Sequence, residues 1–226
     1  MTEIQVLPDP AAEVAELLIE AARAGQHIVL TGGSTPRRAY ELAATRDVDW
    51  SGATLWFGDE RCVPLDDDRS NYGMAAAALL HRLPAERRPR VLRMPGELGP
   101  DAGADAYETL LREHLGGQPS FDLLLLGLGG DGHMASLFPG KPAVEERERL
   151  VVGVPEPGLE PFVPRITLTV PVIRSAVRTI FLVAGADKAA AVARAFGGPQ
   201  DAGTPASLAR DPVVLLDAPA ASELSR

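Results

Sequence analysis

Four consecutive leucines, Leu123 to Leu126, constrain this chain more than any other stretch. They are followed at once by Gly127, Gly129, Gly130 and Gly132, with Asp131 and His133 among and just after the glycines. An uninterrupted apolar run bounded by turn signals fits a strand buried on both faces of a parallel sheet. A turn bearing a carboxylate and an imidazole then puts reactive groups at the carboxyl edge of that sheet, where open α/β sheets bind their ligands.

The rest of the chain repeats the pattern. Short apolar or β-branched runs at 4–7, 27–30, 53–57, 91–94, 150–154, 166–170, 179–184 and 213–216 read as strands. Helical spacing fills most of the gaps. Asp9 and Pro10 open a helix that Gly25 closes, and Thr35 caps one from Pro36 to about Ala44. Further helices are expected up to Leu80, over 102–115, over 171–176 and after Lys188. This alternation predicts an α/β fold, a mostly parallel open sheet with helices on both faces. At 226 residues the chain fits one large domain spanning 1–226, with the proline-rich stretches 84–100 and 155–164 as rim insertions.

Charge narrows the partners. Lys and Arg number 22 against 31 Asp and Glu, a net charge of −9. This disfavours a nucleic-acid or anionic-membrane surface, so positive charge for an anionic ligand must be concentrated locally. Cys62 is the one cysteine; it allows no intramolecular disulfide and no Cys-based zinc site, and a small core residue is the simpler reading for it. His27, His81 and His114 show no ligand spacing with His133, so no metal is expected. The first residues lack a secretory signal and no apolar stretch approaches the roughly 20 residues that span a bilayer, which makes a cytoplasmic enzyme or binding protein the expectation.

Several strand ends carry candidate chemistry. Gly32, Gly33 and Ser34 lie between a strand and a helix start, a geometry that gathers backbone N–H groups on an anion; an ordinary strand-to-helix turn is the plainer alternative. Asp59-Glu60-Arg61 follows another strand, and Arg61 has the forked donors for phosphate or carboxylate. Lys188 stands where its helix begins, an unfavourable place for a cation unless an anion is nearby. Arg165, just before a strand, is open to the same two readings. Gly127-x-Gly129-x-x-Gly132 matches a dinucleotide fingerprint, but Pro139-Gly140 stops any helix too soon for that motif. Asp131 and His133 fit an acid–base pair better, since imidazole titrates near neutrality and a carboxylate fixes its tautomer.

In combination these motifs, Thr31 to Pro36, Trp56 to Arg61 with Val63-Pro64 and Ser70-Asn71, Asp131-Gly132-His133 with Ala135 to Gly140, Pro164 to Thr169, and Gly185 to Lys188, resemble 6-phosphogluconolactonase in order and content. The related glucosamine-6-phosphate deaminases share the Asp-Gly-His turn but usually carry tyrosine after Asp-Glu. Met134, where the lactonases commonly have threonine, and Gly130 are departures. The resemblance implies a modified Rossmann-like fold of the sugar-phosphate isomerase/deaminase type. It also implies hydrolysis of a small sugar-phosphate lactone without metal or organic cofactor, by a monomer or small homo-oligomer. By the same resemblance His133 is the general base, and Asp131 orients it or contacts sugar hydroxyls. Gly129, Gly130 and Gly132 would offer oxyanion N–H groups. Phosphate would lie among Gly32, Gly33, Ser34, Arg61 and Lys188, with Arg165 a further contributor. A deaminase-like isomerase and a non-catalytic sugar-phosphate sensor are the alternatives.

Overall fold

The computed structural model of the chain describes residues 1–224. Seven strands form one parallel sheet: β1 (Glu3–Val6), β2 (His27–Leu30), β3 (Thr54–Phe57), β5 (Arg90–Val91), β6 (Leu123–Leu126), β9 (Arg178–Val183) and β10 (Val213–Leu216). Their order is β1-β10-β9-β6-β2-β3-β5, and every neighbouring pair is parallel. All four leucines of β6 are buried, as two covered faces require. The helices are α1 (Pro10–Arg23), α2 (Ser34–Ala44), α3 (Asn71–Ala78), α4 (Pro100–Leu115), α5 (Val170–Ser175) and α6 (Ala189–Phe196). Among the described residues no helix is long and apolar enough to cross a membrane.

A second sheet departs from the expectation. β4 (Asp59–Arg61), β7 (Val151–Val154) and β8 (Arg165–Leu168) form a three-stranded antiparallel sheet in the order β4-β8-β7. The segment 59–61, expected as the turn after β3, is therefore itself a strand. Its charges are accommodated because β8 supplies the ladder and α3 supplies donors to the buried carboxylates. The strand expected at 91–94 shrinks to Arg90–Val91, paired only with β3 at the sheet edge.

Two buried tyrosines fix the strand ends from which turns leave. The Tyr40 hydroxyl accepts the Thr31 N–H at 2.9 Å and donates to the Thr31 carbonyl at 2.8 Å. The Tyr107 hydroxyl accepts the Phe57 N–H at 3.0 Å. Both satisfy backbone groups that the ladder no longer reaches.

Candidate active site

The carboxyl edge of the large sheet and one face of the small sheet enclose a cleft of about 250 Å³. Its lining includes Gly32, Gly33, Asp59, Arg61, Gly129, His133, Arg165 and Lys188. Two larger hollows, of about 760 and 510 Å³, lie elsewhere and hold none of these residues.

The imidazole comes from the turn after β6. His133 Nδ1 lies 2.6 Å from Asp131 Oδ1, and the same oxygen accepts the His133 backbone N–H at 3.1 Å. A carboxylate only accepts, so Nδ1 carries a hydrogen, and in the neutral ring Nε2 is then the nitrogen with the lone pair. Burial pushes the Asp131 carboxyl up, but the hydrogen bond and charge of His133 outweigh it and the net direction is down. Asp131 does not line the cleft; its oxygen is spent on the ring, which favours orientation over sugar contact. Gly129 has to be glycine, because a Cβ there would sit 2.0 Å from His133 Nδ1.

The same turn corrects one expectation. The Gly129 N–H donates to the His133 carbonyl and the Gly132 N–H to the Gly129 carbonyl, both at 2.9 Å. These donors close the turn on itself and cannot also hold an oxyanion. Gly130 is exposed and outside the cleft lining, and its carbonyl accepts from Arg194 Nη2 at 2.9 Å. Met134, the departure from the lactonase pattern, is fully buried in the apolar core.

The small sheet supplies charge by the two-residue period of a strand. Asp59 and Arg61 face the cleft, Glu60 between them points away, and Arg165 pairs with Arg61 across the ladder. Glu60 accepts the backbone N–H groups of Arg61, Asn71 and Tyr72 and the Ser70 hydroxyl. Burial pushes its carboxyl up, against those N–H donors. Asp59 is buried and accepts from Ser136 Oγ at 2.6 Å and Asn71 Nδ2 at 3.1 Å. It was given no role from the sequence; its signal was the i, i+2 spacing to Arg61. Asn71 also explains Gly32, where a Cβ would lie 1.9 Å from its Oδ1.

The two arginines are held by neutral groups. Arg61 Nη1 donates to the Arg69 carbonyl at 2.6 Å, and its Nε is buried without a partner among the described residues. Arg165 Nη2 donates to the carbonyls of Leu159 and Pro161, and its Nε is likewise unpartnered. Neither forms an ion pair among the described residues, whereas Lys188 Nζ approaches Asp187 at 3.6 Å. Burial pulls the Arg165 guanidinium down, opposed by the charge of Asp59.

On the opposite wall, α2 begins at Ser34 with Gly33, at φ 110°, as its cap residue. Thr35, expected as the cap, lies inside the helix. Ser34 lines an adjoining hollow of about 150 Å³ with Gly32, Gly33 and Lys188. Cys62 is half-buried, and burial, then Glu60 and Asp101, push its thiol up to about 11, so it stays protonated near neutrality. No cluster of three or more His, Cys, Asp or Glu side chains suited to a metal occurs among the described residues.

Residues 3–215 match the family described as glucosamine-6-phosphate isomerases/6-phosphogluconolactonase. The 6-phosphogluconolactonase of Streptomyces coelicolor is 42% identical over 224 residues, covering 92% of this chain and 85% of that protein. The structure of 6-phosphogluconolactonase from Trypanosoma cruzi superposes with a TM-score of 0.85 at 30% identity, covering 100% of this chain and 98% of the other. A monomeric glucosamine-6-phosphate deaminase superposes at 0.82 with 22% identity, covering 98% and 100%, which shows a shared fold.

Proposed function

This chain belongs to the glucosamine-6-phosphate isomerase/6-phosphogluconolactonase family, and from that premise we propose that it hydrolyses 6-phospho-D-glucono-1,5-lactone to 6-phospho-D-gluconate in the oxidative pentose phosphate pathway. The observation that carries the reading is one cleft holding His133, oriented from behind by Asp131, together with Arg61 and Arg165, which form no ion pair among the described residues. A general base is wanted at the lactone carbonyl and positive charge at the phosphate.

His133 Nε2 takes a proton from water as the oxygen attacks C1, and Asp131 stabilises the imidazolium formed. The tetrahedral intermediate then collapses, the C1–O5 bond breaks, and the ring oxygen takes the proton back from His133. The new carboxylic acid ionises in solvent. A positioned base of this kind contributes about 10²–10⁴-fold. The phosphate lies among the start of α2 at Gly33 and Ser34, Lys188 and Arg165, with Arg61 adding to the field. Asp59 faces the sugar hydroxyls. With the Gly129 and Gly132 N–H groups committed, the developing oxyanion is left to the positive field of the cleft. Hydrolysis transfers no redox equivalents and needs no organic carrier. The cytoplasmic setting expected from the sequence belongs to this same reading.

The test is lactone hydrolysis coupled to 6-phosphogluconate dehydrogenase, corrected for spontaneous ring opening. Turnover well above background is expected, with no ammonia released from glucosamine 6-phosphate. The reverse pair of results would establish a deaminase, and binding without either activity a sensor.

A further inference from the structure

Arg165 presents an unusual balance of contacts. It is 2% exposed, carries a buried Nε without a partner, and meets no carboxylate at ion-pair distance among the described residues. What it meets instead is a ring. Its Cζ lies 5.1 Å from the centroid of Phe138, which is fully buried. Phe138 is fixed from other sides too. Its ring centroid is 4.5 Å from that of His133, and Gly158 packs so closely that a Cβ there would be 3.0 Å from the Phe138 Cβ.

A carboxylate beside Arg165 would hold it equally well but would cancel its charge. An aromatic face attracts a cation through its quadrupole while carrying no net charge. We propose that Phe138 is a positioning residue, whose ring holds the Arg165 guanidinium in the cleft in place of a carboxylate and leaves its charge for the anionic end of the substrate. The inference rests on the reading that Arg165 meets the substrate phosphate. Leu159 and Pro161 contribute in the same manner, since backbone carbonyls orient the guanidinium without neutralising it.

The experiment separates the two layers. Arg165→Ala is assayed first, with 6-phosphogluconolactone and with D-glucono-1,5-lactone, which lacks the phosphate. A marked drop in the enzyme's preference for the phosphorylated lactone is expected; an unchanged preference would overturn the phosphate reading of Arg165 and the proposal with it. Phe138 is then replaced by mono-, di- and trifluorinated phenylalanine, which keep the ring's bulk against His133 while withdrawing negative charge from its face. KM for the phosphorylated lactone is expected to rise stepwise, by about fivefold across the series. KM for the unphosphorylated lactone should stay within about twofold, while any change in kcat through the contact with His133 should be the same on both lactones. A flat series, or an equal rise on both lactones, overturns the role of Phe138 while leaving the phosphate reading intact. Phe138→Leu should raise KM for the phosphorylated lactone at least as far as the trifluorinated ring.

Discussion

The two sheets serve the cleft in different ways. The parallel sheet is apolar through its interior and reaches the site only where strands end, in the turns at Gly32-Gly33, Gly127 to His133 and Gly185 to Lys188. The antiparallel sheet reaches it with side chains from inside strands, Asp59, Arg61 and Arg165. A strand covered on both faces has no room for charge, so its chemistry is displaced to its end. A strand with one face on a cleft can alternate, as β4 does: Asp59 and Arg61 toward the cleft, Glu60 toward the fold. In the proposed mechanism the parallel sheet thus supplies the base and the phosphate turn, and the antiparallel sheet supplies two arginines and a buried carboxylate.

Perturbing one sheet at a time tests this division. The largest effect is expected in the turn after β6. His133→Asn should lower kcat by about 10²–10⁴-fold with KM nearly unchanged. Wild-type turnover above the spontaneous background would break the assignment of chemistry to the parallel sheet. Glu60→Ala probes the opposite region. It leaves three backbone N–H groups and the Ser70 hydroxyl without their acceptor, and should cost about 3 kcal/mol or more in denaturant unfolding. A stability close to wild type would mean that β4 does not depend on its inward carboxylate.

Smaller effects sharpen the comparison. Lys188→Ala should raise KM for the phosphorylated lactone by about ten- to a hundredfold, as loss of one charged hydrogen bond implies, and leave the unphosphorylated lactone alone. Equal losses on both would show that Lys188 does not read phosphate. The last test is pH. The Asp131 carboxyl is held below its usual range, so its contribution to stability is present above the ordinary value near 3.9 and is lost as pH falls through the folded value. The Tm gap between wild type and Asp131→Asn should therefore narrow as pH falls below about 4. A constant gap would make the hydrogen bond to His133 irrelevant to folding.

The parallel sheet was legible because its signal is local. The runs at 27–30 and 213–216 coincide with β2 and β10, and Leu123 to Leu126 with β6. The small sheet was not, because Asp-Glu-Arg reads as a strand only when β8, far along the chain, supplies the ladder. The cleft divides in the same way. His133, Asp131, Arg61, Arg165 and Lys188 were visible as reactive types at strand ends, and all but Asp131 line the cleft, where Asp131 holds the base from behind. The commitment of the Gly129 and Gly132 N–H groups was invisible, since spacing does not say which carbonyl a turn folds back upon. Asp59 went unused because its partners, Asn71 and Ser136, lie in other segments.

The outer pairing of the large sheet bears on how the molecule matures during synthesis. Among the described strands β1 comes earliest in the chain, yet there it pairs only with β10, Glu3 against Val213 and Val6 against Leu216. Asp217, just beyond β10, accepts the Gly185 N–H at 3.0 Å and so anchors the turn that leads to Lys188. A nascent chain therefore completes the His133 turn while β1 still has no neighbour and the Lys188 turn has no anchor. Closing so long a loop is slow relative to local pairing. Among the described strands, the Lys188 turn is thus secured only once β10 has joined β9, and a β9 edge without β10 stands open to other pairing.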